Sequence, residues 1–354
     1  MKVLMISSDP GIHEETQAAR RMEEYRQLVD ELYTIVIAGR FNIAAFFRAY
    51  REGKRILGER GAADFLITVQ DPPDRWVVGW LLAKRFGVPL EVQVHTDLMS
   101  PYLLRESIKN RFRLIIAHFI FMRVMCVRVV SRRIERSLAK KYPRLSGNIT
   151  VLPVYVDIEQ LRLVHRIEER GVFRFLMVSR LTREKNIELA LKAFAKVVNI
   201  FPETKLVIVG EGPYRRRLEA LALKLGLMQG KVVFTGWQED TTRSFQYASC
   251  YVLTSNYEGY GRTVVEALAV GVPVIMTDVG VAGDIVRHEE TGLVVPVGDV
   301  QSLVVAMRHV VEDSYMRRVL TENSRKAVEN FPSKKEYLEA YKRMWYTCSS
   351  KKIV

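Results

Sequence analysis

Cysteine is scarce in this chain of 354 residues. Its three cysteines, Cys126, Cys250 and Cys348, are odd in number, far apart and without C-x-x-C spacing. That pattern predicts neither a disulfide framework nor a zinc site and fits a reducing compartment. Long hydrophobic runs are missing too: no uninterrupted apolar stretch approaches the roughly 18 residues that a spanning helix needs. At the start, MKVLMISSDPGI passes from Met1 straight into a strand-like run, with no basic region ahead of an apolar signal segment, so a cytoplasmic protein is expected. Low-complexity tracts and short-period repeats are lacking, and a composition 48% apolar and 27% charged excludes a disordered chain. At roughly 100 to 200 residues per domain, the length predicts two domains, each large enough for its own core.

Acidic residues are few where basic ones concentrate. Of the formal net charge of +14, the segment from Arg105 to Arg144 supplies +10, with 12 Lys/Arg against only Glu106 and Glu135. Short β-rich apolar runs alternate with longer amphipathic stretches throughout, the pattern of parallel sheets built from βαβ units in an α/β protein. In the first half the runs are KVLMISS from Lys2, TIVIAG from Thr34, DFLITV from Asp64, LEVQVH from Leu90, VRVVS from Val127 and ITVLPV from Ile149. The second half restarts with FRFLMVS from Phe173, followed by KLVIVG from Lys205, KVVFTG from Lys231, YVLTS from Tyr251, PVIMTD from Pro273 and GLVVPV from Gly292. The expected division is 1–157 and 173–330 as two parallel-sheet domains, with the charge-rich 158–172 as their connection. Residues 331–354 are expected as a terminal helix capped by Ser333, with a crossing back to the first domain as one course open to it.

The most informative segment is LTSNYEGYGRTVVEALAVGVPVIMTD, from Leu253 to Asp278, which reads as strand, loop, helix, strand. In a parallel sheet such a loop lies at the carboxyl edge, where the following helix presents free N–H groups and its positive end to a ligand. Glu258 and Glu266 flank a turn made by Gly259, Tyr260, Gly261, Arg262 and Thr263, and carboxylates suit hydroxyl-rich ligands because they accept charge-assisted hydrogen bonds. A second edge loop, SRLTREKN, offers Arg180 and Lys185 to a diphosphate, and a third, GEGPYRR, begins at Gly210.

In order along the chain, SRLTREKN, GEGP, FTGW, the E-x(7)-E motif from Glu258 to Glu266, GVPVI and TGLVVPVGD resemble the nucleotide-sugar-binding domain of family-4 (group 1) retaining glycosyltransferases. The resemblance covers roughly Phe173 to Glu312. It implies the GT-B fold, two Rossmann-like parallel-sheet domains facing a central cleft, with the acceptor on the first domain and the nucleotide sugar on the second. It further implies that Arg180 and Lys185 neutralise the donor diphosphate, that Glu266 holds the ribose and that Glu258 contacts the transferred sugar. Retention of configuration, by same-face attack with the leaving phosphate as base, is implied in the same way. Similar enzymes carry a histidine beside the transferred sugar where this chain has His95, and they need no metal or other cofactor. The first half matches less closely. Gly11 alone, in SSDPGIHEET, stands where the family usually has a Gly-Gly pair in an acceptor-side loop, and TDVGVAGDIV and LPVYVD depart from a Gly-Gly and an Asn-Gly pair.

Between Tyr102 and Arg136 arginines interleave with large apolar residues, and FNIAAFFRAYREGKR from Phe41 repeats the theme. A basic helix with an apolar face suits an anionic membrane, so peripheral docking on the inner leaflet and a lipid-linked or envelope-glycan acceptor are expected. Other readings are a phosphorylase or epimerase on the same fold, and a non-catalytic subunit that keeps only donor binding. Nucleic acid ranks last, since no recognition motif accompanies the basic segment.

Overall fold

The computed structural model describes residues 1–13, 16–39, 42–167 and 171–351; Phe41 lies outside them. The chain forms two compact units, Met1–Tyr155 joined by the residues from Lys334 onward, and Val156–Ser333. In the first unit β1 (Lys2–Ser7), β2 (Glu31–Val36), β3 (Phe65–Gln70), β4 (Leu90–Val94), β5 (Cys126–Val129) and β6 (Ile149–Val151) form a parallel sheet in the order β2-β1-β3-β4-β5-β6. Between them run α1 (Gln17–Arg26), α2 (Ile43–Arg60), α3 (Pro73–Phe86), α4 (Pro101–Glu106), α5 (Ile108–Phe121) and α6 (Arg132–Lys141). Strands covered by helices on both faces read as continuous apolar runs, and Val3, Leu4, Met5 and Ile6 of β1 are fully buried.

The second unit opens with α7 (Ile158–Arg162) and repeats the plan with β7 (Phe173–Val178), α8 (Ile187–Val198), β8 (Thr204–Val209), α9 (Arg215–Lys224), β9 (Val232–Gly236) and α10 (Thr242–Gln246). It continues through β10 (Cys250–Leu253), α11 (Arg262–Val270), β11 (Val274–Thr277), β12 (Leu293–Val295), α12 (Val300–Glu312) and α13 (Ser314–Ala327). Its parallel sheet has the order β12-β11-β10-β7-β8-β9. Strand order reverses beside β7 and β10, and the loops leaving such neighbours at their carboxyl ends open a crevice for ligands.

Three expectations need correction. Of the segment expected to connect the domains, the described residues 158–167 are built into the second unit: α7 packs on α11, the Ile167 N–H donates to the Gln246 carbonyl (2.8 Å), and the Arg166 guanidinium donates to the Gly271 and Ala248 carbonyls (3.1 and 3.2 Å). Arg166 thus ties the carbonyl that follows α11 to the one between α10 and β10, a role that composition alone does not reveal. Cys126 and Cys348 form a disulfide, their Cα atoms 5.9 Å apart, because the final helix α14 (Lys334–Ser349) returns to the first sheet across 222 residues of sequence. Cys250 is the one free cysteine, buried in the second core. Finally, the basic segment is not one surface helix. It is divided among α4, α5, β5 and α6, and Arg128 lies buried inside β5.

α14 covers the first sheet through a polar network as well as through Tyr341 and Trp345. Glu91 Oε2 accepts from Thr68 Oγ1 (2.6 Å), Gln93 Nε2 (3.3 Å) and Trp345 Nε1 (3.1 Å). Burial pushes the Glu91 carboxyl above the ordinary glutamate value against these donors and the nearby Arg128 charge. A raised native value means that the fold favours the protonated acid, so the contribution to stability is present at low pH and is lost as pH rises through the native value. Glu91→Gln does not titrate; urea unfolding across pH should therefore show the variant gaining on the wild type as pH increases, and a pH-independent difference would contradict this.

Candidate functional site

At the carboxyl edge of the second sheet the loops after β7 and β8 are zipped together. The Leu181 N–H donates to the Glu211 carbonyl (2.8 Å), the Tyr214 N–H to the Leu181 carbonyl (3.0 Å) and the Gly210 N–H to the Gly236 carbonyl (2.8 Å). Gly210 has φ +136°, and a Cβ there would stand 1.9 Å from the Ser179 carbonyl oxygen, so only glycine fits. Gly210→Ala should cost about 2 kcal/mol or more, read as a fall of roughly 4 to 8 °C in unfolding temperature, with loss of any ligand held by these loops.

A second set of bonds fastens the β7 loop to the loop after β10. Thr254 Oγ1 donates to the carbonyls of Lys185 and Asn186 (both 3.0 Å), the Asn256 N–H to the Glu184 carbonyl (2.7 Å), and Asn186 Nδ2 to Asn256 Oδ1 (2.9 Å). Asn186 takes the left-handed conformation, φ +43°, at the entry to α8. These bonds bring Lys185 onto Glu258: the ammonium and carboxylate are paired, both largely shielded from solvent, and Ser255 Oγ donates to the same carboxylate oxygen (2.8 Å). Arg180 sits differently. Its side chain is 77% exposed and leans on Glu184 (3.4 Å).

Gly261, at φ +96°, starts α11, and no side chain caps that end of the helix. Its first N–H groups therefore face the loop with their positive end available to an anion. Gly259 and Tyr260 are buried in the turn, and Thr263 Oγ1 lies 2.6 Å from the hydroxyl of Tyr251 on β10. One turn into the helix Glu266 is buried and accepts from Arg262 Nε (2.8 Å). Burial pushes its carboxyl up while Arg262 pulls it down. Burial pushes the Tyr251 phenol up, the Thr263 hydrogen bond pulls it down, and the Glu258 and Glu266 charges push it further up. Gly280, after β11, stands against the Glu258 loop: a Cβ there would meet the Tyr260 carbonyl oxygen at 2.4 Å and Glu258 Cβ at 3.0 Å. Thr254, Ser255, Asn186, Asn256 and Gly280 are the positions that sequence reasoning missed; Gly280 lay in a segment already noted for its departure from a glycine pair.

In the first unit His95 follows β4. Its Nδ1 lies 3.1 Å from Asp71 Oδ1, its backbone N–H donates to Asp71 Oδ2 (3.2 Å), and its Nε2 faces Arg128 Nη1 at 3.4 Å. A guanidinium only donates, so this arrangement assigns the lone pair to Nε2 and the ring proton to Nδ1, toward Asp71. Gly11 sits in a short 3-10 turn after β1, its N–H donating to Asp9 Oδ1 (3.0 Å) and its carbonyl accepting from Thr16 Oγ1 (2.7 Å). Among the described residues no group of three His, Cys, Asp or Glu side chains is placed to hold a metal ion, and no helix is long and apolar enough to cross a membrane.

The family model described as "Glycosyl transferases group 1" matches residues 159–327, and that described as "Glycosyl transferase 4-like domain" matches residues 13–154. An uncharacterized glycosyltransferase of Methanocaldococcus jannaschii is 35% identical over 155 residues, 43% of this chain and 39% of the relative. The chain spans less than half the length of the first curated relatives that it matches. Among solved structures, a sucrose-phosphate synthase from Thermosynechococcus elongatus superposes with a TM-score of 0.81 at 21% identity, covering 98% of each chain. Anabaena HepE, in complex with UDP and glucose, superposes with a TM-score of 0.74 at 20% identity, covering 99% of this chain and 100% of its own. With both halves matched and the doubly wound architecture shared end to end, the chain belongs to the group 1 glycosyltransferases of the GT-B fold.

Proposed function

We propose that the chain moves a sugar from a nucleoside diphosphate sugar to a lipid-linked or glycan acceptor with retention of configuration. The observation that carries the reading is the Lys185–Glu258 pair set beside the uncapped start of α11, with Glu266 one turn further on. Lys185 and the helix N-terminus are placed to stabilise the charge that grows on a leaving diphosphate, while Glu266 and Glu258 accept hydrogen bonds from ribose and sugar hydroxyls. Arg180, long and exposed, supplies a second cation when it swings from Glu184 to the phosphates. Binding of UDP and glucose by HepE supports a donor of this class. On this reading His95 lies beside the transferred sugar, Gly11 belongs to the acceptor side, and positioning and electrostatics do the work without a metal.

Thermal unfolding with UDP, GDP, ADP and dTDP tests the donor site. A nucleotide at about 100 times its dissociation constant adds roughly 2.7 kcal/mol. One of the four should stabilise the wild type, and Glu266→Ala and Lys185→Ala should abolish that shift. No shift with any nucleotide would favour a phosphorylase, whereas a shift without transfer to any acceptor would favour a non-catalytic subunit. Product NMR reads the anomeric outcome, and inversion would overturn retention.

A further inference from the structure

α5 and its C-cap residue Met122 carry an apolar stripe that the fold leaves largely exposed, with Phe119 set edge-on against the Trp80 ring (5.0 Å). Ile108, Phe112, Ile115, Phe119 and Met122 recur every three or four residues, which places them on one side of a helix. They are between 37% and 70% exposed, while Ala117, Ile120 and Phe121 on the other side are buried and the helix packs on α3. A second exposed pair, Ile43 and Phe47, lies on the first turns of α2, which also packs on α3. Basic residues border both patches. Arg105 and Arg111 are exposed beside the α5 stripe, Arg123 stacks on the Phe119 ring at 3.6 Å, and Arg48, Arg51 and Lys54 are exposed along α2.

We infer that this face of the first unit docks on an anionic lipid surface, the α5 stripe entering below the headgroups while the flanking arginines pair with lipid phosphates. The choice of occupant follows from charge and from which atoms face outward. A second copy of the chain would bring two strongly basic segments together, an arrangement that like-charge repulsion opposes. Nucleic acid offers no apolar counterpart for five large side chains in line, whereas an interfacial helix uses such a stripe with cations at its edges. The assignment also narrows the surface. Arg128, inside β5, takes no part, and α6 buries its own apolar residues Ile134 and Leu138, so its arginines add charge without insertion. Docking of this kind gives a lipid-linked acceptor a reason to meet the first unit, and it does not depend on the donor site, so each can fail without the other.

Co-sedimentation of the full chain with phosphatidylglycerol-containing vesicles, against pure phosphatidylcholine vesicles at low salt, reads the interaction. The wild type should pellet with the anionic vesicles and remain soluble with the neutral ones. Phe112→Glu with Ile115→Glu should cut partitioning by about tenfold or more, since two apolar groups that would enter the lipid are replaced by charges repelled from the surface. Val305→Glu, at an exposed apolar position of the second unit, should leave partitioning unchanged, and both variants should keep the wild-type unfolding temperature. Equal partitioning of the stripe variant and the wild type would overturn the inference. So would a wild type that is dimeric without lipid and becomes monomeric on the stripe substitution.

Discussion

Lys185→Ala should lower kcat/KM for the nucleotide sugar by about 10²- to 10³-fold, the loss expected when a group aimed at developing charge is removed. Two effects add. The ammonium no longer meets the leaving diphosphate, and Glu258, which it neutralises in the resting protein, is left with Ser255 as its hydrogen-bond partner. A shielded carboxylate facing an incoming anion is repulsive, so the single substitution removes an attraction and exposes an opposing charge. Lys185→Ala combined with Glu258→Gln separates the two: because the residues touch, their losses should not add, and the double variant should recover part of what Lys185→Ala loses in donor binding. Strict additivity, or a Lys185→Ala enzyme within fivefold of the wild type, would show that the ammonium serves the loop and not the substrate.

The twelve strands among the described residues and the order of the two sheet domains were legible in the sequence, because a parallel strand buried on both faces is a local signal. β2 shows where that signal fades: it begins at Glu31, three residues before the apolar run from Thr34, since Glu31, Leu32 and Tyr33 remain only half-buried. The loop positions of Glu258, Glu266 and Lys185 were legible for a similar reason, each being set by its own strand-turn-helix segment. What binds those segments to one another was not. Thr254, Asn186 and Asn256 act across some 70 residues of sequence, and nothing local distinguishes a threonine that bonds a distant carbonyl from one that faces water. The same holds for Cys126 and Cys348, which meet because α14 returns to the first sheet. Arg128 had a local signal that the surrounding charge obscured: it stands between Val127 and Val129 in a run that reads as a central strand, where a charge must be buried and therefore satisfied.

That burial makes Arg128→Met the most destabilising change expected in the first unit, at about 3 to 5 kcal/mol. The guanidinium donates to the Leu152 and Pro153 carbonyls (both 3.1 Å), to Gln93 Oε1 (2.9 Å) and to the hydroxyls of Tyr341 and Tyr337 (3.1 and 3.2 Å), and it lies 4.8 Å from the Tyr341 ring centre. One side chain thus joins β5, the strand beside it and α14. Methionine fills much of the volume but satisfies none of these acceptors, and it leaves the buried Glu91 without its nearby cation. Tyr341→Phe, which removes one hydroxyl from the same network, should cost only about 1 kcal/mol, so the ratio between the two variants distinguishes loss of the charge from loss of one bond. A further effect should reach the edge of the sheet. With no donor facing Nε2, the His95 ring is no longer held with its proton on Nδ1, and ring-nitrogen NMR should report a mixture of tautomers where the wild type shows one. Urea unfolding of Arg128→Met within 1 kcal/mol of the wild type would mean that water replaces the guanidinium, and a single tautomer in that variant would mean that Asp71 alone orients the ring.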